Sequence, residues 1–219
     1  MAESFLERVW KAREESVYHS IFGDLGAGIY PVASSLFTEL FQSDFDPRWL
    51  FIGVFACPPS QGRECWSYAS SGLSNPWESD DRPEDLAHGS GLGVEYLLQT
   101  TRPGDWAVEL VQRVVAFDLL LAHGRYEGGA PLRDGDRIPY RGSIAREFDS
   151  VLDTIVIGPP RNVPHIFQLE SGTVRFAQLA GISQAEAAYA KANGPESLIE
   201  RLEEAGAYPV TDPARTSIC

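Results

Sequence analysis

The sequence predicts an α+β fold: a mixed, largely antiparallel sheet packed with helices. Three observations carry that prediction. Short runs rich in aromatic and β-branched residues are separated by turn residues, as in WLFIGVFAC (49–57) and CWSYASS (65–71) on either side of Pro58-Pro59-Ser60-Gln61-Gly62. One long stretch, Trp106 to His123, instead repeats its apolar residues at helical spacing. Helices and strands then follow one another without the strict alternation of a doubly wound parallel sheet.

Taken in order, Ser4 and Glu7 stand in capping-box spacing, and Phe5, Val9, Trp10, Arg13 and Val17 follow at helical intervals. One amphipathic helix ending before Gly23 is expected. Segment 23–31 (GDLGAGIYP) is glycine-rich, but no Gly-Lys-Ser/Thr follows it and no clear strand precedes it, so it reads as a turn and not a phosphate-binding loop. Residues 1–44 are taken as an N-terminal helical segment packed on a domain that spans 45–215. Runs 49–57 and 65–71 form a predicted hairpin, and VEYLLQT (94–100) is the next strand. Val108, Leu110, Val111, Val114, Val115, Leu119 and Leu120 make Trp106–His123 the central buried helix, stopped by Gly124. LDTIVIG (152–158), HIFQLES (165–171) and TVRFAQLAG (173–181) are further strands, the last two joined at Ser171-Gly172. Ser183 with Glu186 caps a short helix, Asn193-Gly194 ends it, and Pro195 opens another. Stretches 74–91 and 124–143 read as long surface loops, where function concentrates.

Composition narrows the functional classes. With 43% hydrophobic and 22% charged residues over 219 positions, the chain can bury a core and is not of disordered type. Its apolar runs fall short of the roughly 20 residues that cross a bilayer. The N-terminus has neither the basic start nor the apolar stretch of a signal peptide, so a cytoplasmic setting is expected. Three cysteines without a CxxC pair argue against a disulfide framework or zinc knuckle, and Cys57 and Cys65 read as buried thiols. The 18 basic and 31 acidic residues give a net charge of −13, which disfavours nucleic acid and anionic membrane and suits a basic protein partner.

Little in the sequence points to catalysis. His19, His88, His123 and His165 never stand at metal-ligand spacing. His19 and His123 fall near helix C-termini, where an imidazolium meets the negative end of the dipole, which leaves His88 as a site candidate. Ser70-Ser71-Gly72 lacks the G-x-S-x-G pattern of a nucleophile turn. Glu95 and Asp136 sit beside strand-like residues. If buried they need partners, which Arg137 or a backbone amide would supply. An enzyme built on Glu95, Asp136 and His88 would have to bring them to a common point. No cofactor and no metal is called for. Trp49, Trp66 and Trp106 read as core, whereas Trp77 lies between Pro76 and the acidic run ESDDRPED (78–85), the chemistry of a binding anchor with a charged rim.

The ordered strings Trp66-Ser-Tyr-Ala-Ser-Ser-Gly-Leu-Ser-Asn75, Ser90-Gly-Leu-Gly-Val-Glu95, Gly135-Asp-Arg-Ile138, Gly172-Thr-Val-Arg-Phe-Ala-Gln-Leu-Ala-Gly-Ile182, Asn193-Gly194 and Val210-Thr-Asp-Pro213 resemble the suppressor-of-fused domain family, in its single-domain bacterial form. The resemblance implies an α+β domain with a mixed sheet and a protein-binding role. In animals the family member restrains a zinc-finger transcription factor by clamping a short peptide between this domain and a second one. The resemblance covers the first domain alone, so the whole clamp is not expected here. The loop after Gly72-Leu73-Ser74 is what transfers: Trp77 falls at the family's aromatic peptide-contacting position, and Asp80, Asp81 and Asp85 are the acidic candidates, with Glu78 and His88 beside them. Bacterial members are associated with immunity proteins that block polymorphic toxins, which implies a basic toxin domain as partner. A general peptide-binding adaptor is the alternative, and an enzyme using acidic residues is a third reading. Oligomeric state is left open.

Overall fold

The structure, a computed structural model, describes residues 3–219. Ser4 caps the first helix as its spacing predicts. Its hydroxyl accepts the Glu7 N–H at 3.2 Å, and the Glu7 carboxylate accepts the Ser4 N–H at 2.8 Å. Helix α1 (Phe5–Lys11) runs through a π-helical stretch (Ala12–Tyr18) into α2 (His19–Phe22), and Gly23 ends the run. The buried stripe is Phe5, Val9, Arg13, Tyr18 and Phe22, with one five-residue step where the helix widens. That step displaces the expected stripe: Trp10 is 46% exposed, and Tyr18 replaces Val17 at the core.

Among the described residues nine strands form one sheet. They are β1 (Ile29–Pro31), β2 (Gly53–Cys57), β3 (Trp66–Ser71), β4 (Gly89–Thr100), β5 (Arg137–Pro139), β6 (Leu152–Gly158), β7 (Ile166–Leu169), β8 (Gly172–Ser183) and β9 (Val210–Thr211). The spatial order is β1-β2-β3-β4-β8-β6-β5, with β7 also on β8 and β9 also on β4. Only β4–β8 and β4–β9 are parallel, so the sheet is mixed and mostly antiparallel, as predicted. The expected hairpins are present. β2 and β3 pair Cys57 with Ser67, and β7 and β8 pair Leu169 with Gly172. Cys57 and Cys65 are free and buried, and burial pushes the Cys57 thiol up to about 12.

Side chains alternate across the sheet. Val54, Tyr68, Tyr96, Leu98, Ala177, Leu179 and Ile155 face α3 (Asp105–Ala122), the predicted central helix. Their neighbours Phe55, Ala69, Leu97 and Phe176 face α1 and α2 on the other side. Val156, Ala180 and Ile182 meet α4 (Gln184–Asn193) and α5 (Pro195–Glu204). Strands covered on both faces read as near-continuous apolar runs, and burying one such Leu contributes about 1.5–3 kcal/mol.

Four boundaries differ from the sequence reading. The expected turn 23–31 ends in β1 (Ile29–Pro31), which pairs with β2 at the sheet edge. Pro47–Phe51 forms a 3₁₀ turn and not the start of a strand, because the Asp46 carboxylate accepts the Arg48 N–H at 2.9 Å and Pro47 presets the first turn. The expected loop 74–91 yields its last residues to β4, and the expected loop 124–143 contains β5. β5 escaped notice because three residues carry no readable period. Both ends of the sheet, β1 and β5, hold a proline (Pro31 and Pro139), which suits an edge because proline cannot donate to a further strand.

Candidate functional site

The base of loop 74–91 is set by a buried carboxylate. Glu95, on β4, is fully buried. Its Oε1 accepts the Gly72 N–H at 3.0 Å, the Ser74 N–H at 2.9 Å and the Ser74 hydroxyl at 2.6 Å, while Oε2 accepts the Ser70 hydroxyl. The partner is therefore backbone amide and hydroxyl, one of the two sources expected, and not Arg137. Gly72 sits at φ 125°, and a Cβ there would lie 3.0 Å from the Ile52 Cα, so the turn requires glycine.

Arg13 reaches this turn from the N-terminal helix. Its Nε donates to Ser71 Oγ at 2.9 Å, and its Nη1 to Ser74 Oγ at 3.1 Å and Asn75 Oδ1 at 2.7 Å. Glu14 accepts the Ser71 hydroxyl beside it. A buried guanidinium and two buried carboxylates are thus satisfied through one set of hydroxyls and amides. This network pins the loop base to a residue far away in sequence.

Beyond Asn75 the loop comes to the surface. Trp77 is half-buried and its ring lies 6.4 Å from that of Phe51, which is 74% exposed. Arg48 joins Asp46 and Glu78, each at 2.7 Å. Asp80, Asp81, Asp85 and His88 are exposed, with Asp85 accepting the Ala87 N–H and lying 3.7 Å from His88. A groove of about 340 Å³ gathers Trp77, Glu78 and His88 with Trp49, Leu119 and His123. Of the six residues singled out in the sequence, these three meet at one concavity, and Asp80, Asp81 and Asp85 stand outside it. His19 and His123 stand near helix ends, where each Nδ1 meets a backbone carbonyl, Gly23 O at 2.8 Å and Leu119 O at 2.9 Å.

A larger groove, about 880 Å³, lies on the other flank of α3 and was not foreseen. Its floor is aromatic: Phe41 stacks on Phe117 with centroids 5.9 Å apart, and Phe117 meets Tyr126 at 5.7 Å. β5 forms one wall, and Arg113 lies 4.6 Å over the Tyr140 ring. Beneath it, buried Asp118 accepts the Tyr96 hydroxyl at 2.8 Å and the Leu132 N–H at 2.7 Å. Burial raises the Asp118 pKa, and the two hydrogen bonds only partly oppose that rise. The available signal was the spacing of Arg113, Phe117 and Leu121 on α3, four residues apart on an outward face. The remaining lining comes from segments that only the fold brings together.

The three candidate acid–base residues are not gathered. Asp136 lines the larger groove, His88 the smaller, and Glu95 neither. The Asp136 carboxylate accepts the Arg133 N–H at 2.8 Å within its own turn. Among the described residues no group of three His, Cys, Asp or Glu side chains is arranged to hold a metal ion, and no helix is long and apolar enough to cross a membrane.

The pattern described as Suppressor of fused protein (SUFU) matches residues 49–216. The chain belongs to the suppressor-of-fused family. No curated protein matches it. A crystal structure of the Sufu–Fu complex is similar over 96% of this chain and 92% of that one, at 20% identity and a TM-score of 0.67. Drosophila Suppressor of Fused is similar at 22% identity and a TM-score of 0.58, covering 76% of this chain and 42% of the fly protein. A putative SUFU homolog from Neisseria gonorrhoeae matches at 19% identity and a TM-score of 0.54, over 76% of this chain and 77% of that one. These likenesses establish a SUFU-like fold. The suppressor-of-fused family is one of protein-interaction regulators and not a known enzyme class.

Proposed function

We propose that the chain is a protein-binding module that holds a short extended segment of its partner along β5. The observation that carries this reading is the position of an edge strand as the wall of the larger groove. A segment added to β5 gains main-chain hydrogen bonds at the positions other than the Pro139 nitrogen, which has no N–H to give, and its alternate side chains drop onto the Phe41–Phe117–Tyr126 floor. The test is selection of short peptides from a displayed random library on the full chain. Binders should shift the amide resonances of Arg137 and Ile138 and lose affinity in Phe117→Ala. Binders that leave 136–140 unmoved would remove the reading.

A second reading is favoured by the Trp77–Phe51 pair and its acidic rim. Residues 78–85 hold five acids and one arginine, so this face suits a basic partner bearing an apolar anchor. In that role the protein is an immunity protein that neutralises a basic bacterial toxin. The net charge of −13 and the likeness to a bacterial homolog support it. Co-purification at low salt separates it from a general adaptor: one basic partner, lost on Trp77→Ala, fits immunity, whereas many unrelated partners fit an adaptor.

A further inference from the structure

The larger groove contradicts the charge of the chain that builds it. Although the sequence carries 31 acids against 18 basic residues, the charged side chains lining this groove are Arg113, Arg137 and Arg141 with one acid, Asp136. Asp136 spends one carboxylate oxygen on the Arg133 amide of its own turn. Among the described residues none of the three arginines has a carboxylate within ion-pair distance or donates a side-chain hydrogen bond. Glu109, one turn before Arg113 on α3, lies outside the lining and beyond pairing distance. Elsewhere among the described residues Arg8, Arg13, Arg48, Arg161, Arg175 and Arg215 are paired with acids and other arginines are not, so what sets this groove apart is that three unpaired arginines share its wall.

The rim is also held in an unfavoured backbone shape. The non-glycine residues with positive φ are Gln42 at 51°, Arg141 at 56° and Asp149 at 51°, and the first two both line this groove. Strained residues of this kind cluster at ligand sites because the strain fixes a side chain where a relaxed backbone would not place it. Here it sets Arg141 on the groove wall just past β5.

We propose that the segment held along β5 is acidic: an extended peptide whose aromatic or aliphatic residues fill the floor while its Asp or Glu side chains pair with Arg137 and Arg141. Arg113, stacked on Tyr140, is restrained to the wall and offers a third donor. The inference rests on the β5 reading above and adds the chemistry of the occupant. It also gives the molecule two surfaces of opposite preference, since the loop bearing Trp77 is acid-rich.

The experiment uses peptides selected on the full-length chain and sorted by whether they shift the amides of residues 136–140. Groove binders should be enriched in Asp and Glu over the unselected library. Their Asn/Gln counterparts should bind about tenfold more weakly, as should the parent peptides to the double variant Arg137→Gln, Arg141→Gln. The two losses should not add, because they remove the same pairs. Groove binders without acid enrichment, or amide counterparts of equal affinity, would overturn the acidic assignment and leave the β5 reading standing. Selected peptides that never touch 136–140 would end both. A single-stranded oligonucleotide that binds there equally well, with the same loss in the double variant, would replace the peptide by a polyanion and overturn the proposal.

Discussion

The two flanks of α3 hold two concavities built by opposite means. The smaller, beside Trp77, stands on a turn fixed from below by Glu95 and Arg13; its lining holds one acid, Glu78, paired to Arg48, while Asp80, Asp81 and Asp85 lie on the loop outside it. The larger, beside β5, has an aromatic floor and a rim of unpaired arginines, and its walls come from segments near residues 40, 113–121, 126–141 and 155. Leu119 and His123 line one, and Phe117 and Leu121 line the other, so one helix separates them. The difference shows how one small domain can set an acid-rich loop beside one groove and three unpaired arginines on the wall of another. If each is a binding face, they should respond independently to substitution.

The largest expected effect tests the foundation of the smaller surface. Replacing Arg13 by Met leaves Glu14 and the Ser71–Ser74–Asn75 turn without their buried cation, and should lower stability by about 3–5 kcal/mol. Chemical denaturation measures this. Hydrogen exchange should rise first in 70–78 and last around β5, because no bond of Arg13 reaches the larger groove. A uniform rise would join the two regions into one cooperative unit and break the contrast.

Next in size is the anchor itself. Trp77→Ala should cost about 2 kcal/mol or more in binding to a loop-directed partner. It should leave thermal stability nearly unchanged, since the ring is half-exposed and meets Phe51 at the surface. Affinity for groove-binding peptides should not move. Unchanged affinity for a verified loop partner would withdraw Trp77 from the interface.

The same contrast explains what the sequence disclosed. Capping boxes at Ser4 and Ser183, the stop at Gly194 and the alternating strands are local signals, and they placed most elements correctly. Trp77 stood out because an aromatic inside an acidic run is visible in one dimension. The larger groove was not legible: Phe41, Arg113, Tyr126 and Arg141 have no sequence relation, and β5 is too short to show a period. Arg13 was legible as part of a helical stripe but not as a buried cation. Its partners lie about 60 positions away, and the π step that keeps the stripe inward has no marker in the sequence.

The smallest effect is a dependence on pH carried by Asp118 beside the larger groove. Asp118 lies under it, bonded to Leu132 in the wall, and burial holds its pKa above the ordinary carboxylate value. A raised folded-state pKa means the native protein binds this proton more tightly than the unfolded chain does. Asp118 therefore costs no ionisation energy below the unfolded value, near 3.9. The cost appears as pH rises from there through the folded value, and stays constant above it. In Asp118→Asn the side-chain carbonyl can still accept the Leu132 N–H, and the titration is gone. Relative to wild type, its melting temperature should therefore gain across that window and be flat on either side. A difference between wild type and Asp118→Asn that ignores pH would show that Asp118 titrates alike in both states, and would take the pH response away from this groove.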